Sequence, residues 1–170
     1  LIAAGSAWLV PLAWLGTLLW VPPVWRLGRA WFTQFRAEIR HVHGAAPSLA
    51  AALAGFTAAL LFGVLHAGGA LLPGDSAHAF ILAFLFPLVT GAVSQLLPVW
   101  LKPGVQTAWH GQIRQRLQRG GGIRGLMFLG GGLPLAGGWR GGMILAVAAL
   151  VLFLLQLIGA ARRNRLKRGD

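Results

Sequence analysis

The chain has 170 residues, 56% of them hydrophobic and only 11% charged, with a net charge of +12, a balance that no water-soluble globule would carry. The positive charge is gathered at the ends of long apolar segments instead of being arrayed over a polar surface, which sets nucleic acid aside as a partner. There is no Tyr and no Cys, and the lack of Cys excludes disulfides, thiolate nucleophiles and Cys-ligated zinc or iron–sulfur centres; the three carboxylates, Glu38, Asp75 and Asp170, all lie outside the middles of apolar stretches, so hydrolytic or phosphoryl-transfer catalysis is hard to build.

Three clusters of basic residues organise the chain: Arg26, Arg29, Arg36 and Arg40; Lys102, Arg114, Arg116, Arg119 and Arg124; Arg162, Arg163, Arg165, Lys167 and Arg168. Cytoplasmic loops collect Lys and Arg, so two crossings between successive clusters place all three inside. The pattern predicts one all-α membrane domain over residues 1–170, a polytopic bundle of about five spans with the N-terminus outside and the C-terminus inside, in a bacterial inner (plasma) membrane. A cleavable signal peptide is not expected, because the first segment lacks a basic leading region and a small-residue cleavage site. A chain that begins with Leu1 reads as processed or as a fragment.

Residues 1–22 make the first span, which closes on Trp20, Pro22, Pro23 and Trp25 as an aromatic belt. Residues 26–40 follow as an amphipathic helix in the interface, with Leu27, Trp31, Phe35 and Ile39 recurring every four residues among basic neighbours. The second span, 47–67, carries a ladder of Ala51, Gly55, Ala59, Gly63 and Ala67 that lets another helix approach closely. Pro73, Gly74 and Asp75 mark an outer turn over 71–77. The third span, 79–101, returns to Trp100 and Lys102, with Pro87, Gly91, Ser94 and Pro98 in a narrow arc and Gln95 beside them: a packing face, or else the wall of a groove or solute path.

A second interfacial helix, 105–119, repeats the four-residue spacing in Val105, Trp109, Ile113 and Leu117. Both such helices read as connectors, with anionic-lipid or calmodulin-like binding as the functional alternative. Residues 124–139 are short for a ~30 Å core at ~1.5 Å per residue. They count as a span because the last one, 141–161, would otherwise carry the third cluster outside; Arg124 and Arg140 are expected to snorkel from its ends. At an offset of 75, Gly16, Pro23, Val24 and Trp25 match Gly91, Pro98, Val99 and Trp100, suggesting two tandem helix pairs and a fifth helix.

Chemistry rests on histidine. His66 ends the second span and His78 opens the third, so a hairpin brings them to similar depth at the outer face, where neutral imidazole suits haem iron or copper. Asp75 is placed to orient one of them. His41, His43 and His110 belong to basic loops and read as solvated.

The segment HAFILAFLFPLVTGAVSQLLPVW, with His78 at its start, Gly91 within it and Pro98 and Trp100 at its close, resembles NnrS-type haem-binding membrane proteins and, in style, the haem–copper oxidase subunit I-like set. The resemblance implies haem or copper binding at His78 near the periplasmic face. Ser76, Ala77 and Ala79 stand where the paired His and acidic residue of that pattern are expected, and the cross-linkable Tyr of the oxidases is absent. The expectation is therefore a haem- or metal-associated protein of respiratory, nitrosative-stress or copper-handling type, binding instead of turning over, with His78 and His66 as ligands, no catalytic residue assigned, and the bilayer, other membrane subunits or further copies of itself as partners. The alternative is a small-solute carrier or a structural or assembly subunit without cofactor.

Overall fold

The structure, a computed structural model, describes residues 10–70 and 73–166, with side chains at 10–70 and 76–162. The first nine residues of the predicted first span, the Asp75 side chain and the end of the third basic cluster lie outside the described residues.

The described residues are helical, with no strand among them: α1 (Val10–Gln34), α2 (Arg36–Arg40), α3 (Ala46–Ala67), α4 (Pro73–His78), a π-helical segment (Ala79–Leu85), α5 (Phe86–Leu101), α6 (Ala108–Leu117), α7 (Gly121–Ala136) and α8 (Gly142–Leu166). Three stretches are long and apolar enough to cross a membrane, Ala46–Ala67, Ser76–Leu101 and Gly142–Arg162. Of these, α8 turns most of its apolar surface outward; Ile144, Leu155 and Ile158 are among its exposed side chains, the arrangement lipid requires and water forbids.

Pro87 explains the π segment. It has no N–H for the Ala83 carbonyl four residues back, and its ring would crowd that carbonyl. The helix widens instead, so that the Phe86 N–H reaches the Ile81 carbonyl, five residues away. Ala83 then becomes the point where three helices meet. A Cβ on Gly55 of α3 would overlap the Ala83 carbonyl, and one on Gly132 of α7 would lie 2.6 Å from the Ala83 nitrogen. Gly131 of α7 and Gly142 of α8 meet in the same way, each against the other's backbone. Around these contacts Leu82, Phe128, Leu135, Ala146 and Ala149 form the core, with Phe86 edge-on to Phe128 at 5.5 Å between centroids.

Two segments differ from the expected interfacial helices. Pro22 and Pro23 lie inside α1, which runs unbroken to Gln34. Ending the helix there would strand several backbone groups in an apolar surrounding, whereas two prolines remove only two donors. In the second loop the helix is confined to α6, which does not float free: Ile113 and Leu117 are buried with Ala160 of α8, and Leu97 and Leu157 pack around them. Val105 precedes α6 and is 88% exposed. In the repeat, Gly16 and Gly91 are both buried, but Pro98 is buried and Pro23 exposed.

Candidate functional site

The end of the bundle remote from the basic clusters holds the histidine pair. His66 is half-buried in the last turn of α3, which closes with the Gly68 N–H on the Val64 carbonyl at 3.0 Å. Residues 68–72 connect to α4, which packs on α3 and ends in His78. His78 is exposed and immediately precedes the π segment. His66 and His78 thus stand at the ends of α3 and α4, which pack on each other. No three of His, Asp and Glu come together among the described residues.

The predicted small-residue face of α5 is turned into the bundle. Pro87, Gly91, Ser94 and Pro98 are buried, and a methyl on Gly91 would come within 3.2 Å of both Leu49 Cδ2 and Ser48 Cβ of α3. Ser94 Oγ donates to the Gly91 carbonyl at 2.7 Å. Gln95 is exposed.

At the basic end, polar contacts that the sequence does not announce tie the loops to the bundle. His110 is 1% exposed and not solvated as expected. Its Nδ1 accepts the Thr107 N–H at 3.0 Å, so Nε2 is the nitrogen that donates to the Lys102 carbonyl at 2.8 Å. The ring therefore caps α6 and pins the connection before it. His43, exposed, accepts the Gly120 N–H at 2.9 Å at the one point of that turn where the backbone is left-handed, φ 68°. Ser48 Oγ donates to the Gly121 carbonyl at 2.8 Å.

Arg124 does not snorkel; it is 2% exposed. One terminal nitrogen donates to Gln156 Oε1 at 2.9 Å, and its guanidinium carbon lies 4.7 Å from the centre of the Phe153 ring. Gln156 in turn donates to the Arg119 carbonyl at 2.8 Å. The Gln156 amide, the Phe153 ring and the Leu117 carbonyl, which accepts from the same terminal nitrogen at 3.4 Å, do for this cation what a carboxylate does elsewhere. The Arg124 Nε and Nη2 have no hydrogen-bond partner.

A groove of about 870 Å³ runs between α1 and α3. Its α1 wall is a stripe at helical spacing, Thr17, Val21, Val24, Gly28 and Phe32, facing Leu61, Thr57, Leu53 and Ala50 of the antiparallel α3. Arg29, Arg36 and Arg40 close one end. The stripe is present in the sequence, but which helix it faces is not.

No family model, curated protein or solved structure matches the chain.

Proposed function

We propose that the chain is a five-span bacterial inner-membrane protein that binds haem, or else copper, at its periplasmic end through His78 and His66. The observation that carries this reading is the placement of two imidazoles at one end of adjacent helices, one of them directly before the π segment; such widened turns concentrate at functional sites. The likeness of residues 78–100 to haem-binding membrane proteins adds support. In this reading iron would supply ligand or electron chemistry, and the chain would supply the nitrogen donors of His78 and His66. The topology belongs to the same reading: α1 with α3 and α5 with α7 as tandem pairs, α8 as the fifth helix, and all three basic clusters in the cytoplasm.

Purification of the full chain in detergent, with haem supply confirmed in the host, tests it by optical spectrum. A Soret band lost in His78→Ala and weakened in His66→Ala is expected. A colourless protein that also carries no copper by elemental analysis, or a band unchanged in the double variant, would overturn the reading. Reporter fusions near residue 75 and at residue 170 are expected on opposite sides of the bilayer.

One observation favours a second reading, a structural or assembly subunit without cofactor. The face of Pro87, Gly91 and Ser94 is occupied by α3, which suits a packing role better than a solute path. A colourless protein that co-purifies with other membrane subunits would select it.

A further inference from the structure

We propose that the groove between α1 and α3 is a binding site for one anionic phospholipid, its phosphate on Arg29, Arg36 and Arg40 and an acyl chain along the helices. Length, charge and polarity each point to that occupant.

The length is that of one leaflet. From Thr17 to Phe32 the α1 wall rises roughly 22 Å at ~1.5 Å per residue, about half of a bilayer of ~40–45 Å with its headgroups. The groove is thus one acyl chain deep. Its volume of about 870 Å³ falls within the ~300–1,000 Å³ of sites that enclose a whole ligand.

The charge sits at one end. Val21, Val24 and Leu53 line the uncharged stretch, and the arginines follow it, Arg29 in the last two turns of α1 and Arg36 and Arg40 in α2. None of the three pairs with a carboxylate among the described residues. Thr33, between them, has its hydroxyl committed to the Arg29 carbonyl at 2.8 Å and the Ala30 carbonyl at 3.0 Å, which leaves the guanidinium groups to meet the headgroup. Each basic side chain near a membrane surface attracts anionic lipid, and Arg suits phosphate because its planar fork donates two parallel hydrogen bonds.

The walls keep the groove open. Gly28 of α1 and Ala50 and Ala54 of α3 make the floor low, while the Trp20 ring braces edge-on against Phe56 at 5.3 Å between centroids. At the deep end Thr17 is 7% exposed and its hydroxyl has no partner, an unsatisfied polar group at the bottom of an otherwise apolar trough. A second copy of the chain would bring apolar helix to this surface but little negative charge, since its 170 residues hold only three carboxylates, Glu38, Asp75 and Asp170, against fifteen Lys and Arg.

Native mass spectrometry of the full chain in detergent, with phosphatidylglycerol added, tests the site against phosphatidylcholine of the same acyl chains. A single phosphatidylglycerol adduct is expected, with phosphatidylcholine retained at least tenfold less. Replacing Arg29, Arg36 and Arg40 together by Gln is expected to weaken retention about a hundredfold, near fivefold for each charge. Leu53→Trp, which fills the middle of the groove and leaves the arginines, is expected to abolish the adduct; inorganic phosphate is expected not to compete. Circular dichroism and size-exclusion profiles of each variant establish that it is folded. Equal adducts with both lipids, retention unchanged in the folded triple variant, or a dimer that Leu53→Trp converts to monomer would each overturn the proposal. None of these outcomes depends on haem.

Discussion

α3 has two sides, and they are built on opposite terms. Towards the π segment its backbone comes into contact through Gly55, and towards α7 Ser48 and Ala51 lie against Gly125, while towards α1 it stands off and leaves a groove of about 870 Å³. Lipid tails are as apolar as any side chain, so helices in a bilayer gain little by merely covering one another. They close where the absence of a Cβ lets backbones touch, and they stay apart where Trp20, Trp25 and Phe32 intervene. The first side holds the bundle together; the second is available for a ligand.

The sharpest way to break the comparison is to give the closed side a side chain. Gly55→Val would drive two methyls into the Ala83 carbonyl, which cannot retreat because Gly132 of α7 lies against the same residue. A loss of about 3–5 kcal/mol is expected, at the upper end of single substitutions, read as a fall in the denaturing detergent fraction at mid-unfolding. Gly132→Val should behave alike. Wild-type unfolding in either variant would mean that these helices are not in backbone contact.

Next in size is the polar clamp on the same side. Gln156→Leu takes the partner from a buried cation and leaves the Arg119 carbonyl unpaired, for an expected loss of about 2–3 kcal/mol. Arg124→Leu combined with Gln156→Leu should be less destabilised than the sum of the two single changes, by about 1–3 kcal/mol. Additive losses would show that the two side chains do not depend on each other. Smaller again is His110→Ala, expected to cost about 1 kcal/mol through the lost cap of α6. The drop in helicity should be confined to the residues around α6, as amide exchange would report.

Residue pattern reveals some of this architecture and conceals the rest, for identifiable reasons. The apolar runs of α3, of the π segment continued by α5, and of α8 are long enough to declare themselves as helices that can cross a membrane, and Ala51 and Gly55 lie on a spacing that advertises close approach. The π turn is harder to foresee, because Pro87 permits a kink, a break or a widening, and only the neighbours Gly55 and Gly132 select among them. Arg124 and Gln156 lie 32 positions apart and look like two unrelated blemishes in apolar segments; pairing them needs α7 folded back on α8. His110 looks solvated among Arg114, Arg116 and Lys102 because charge density is visible in one dimension and burial is not. Of the candidate ligands, sequence order alone brings His66 and His78 to one end, since only residues 68–72 separate α3 from α4.

The smallest expected effect has the opposite sign and falls on the open side. A Cβ on Gly28 would sit 3.8 Å from Leu53 Cδ2, an ordinary contact across the groove. Gly in a helix interior is less favourable than Ala by up to ~1 kcal/mol, because it gives up more backbone freedom on folding. Gly28→Ala should therefore stabilise the chain by about 0.5 kcal/mol, where any Cβ at Gly55 destabilises it. The measurement is again the mid-unfolding detergent fraction, taken in parallel for both glycines. If Gly28→Ala lost stability instead, α1 and α3 would have to be closed against each other at that level, and the contrast between the two sides of α3 would disappear.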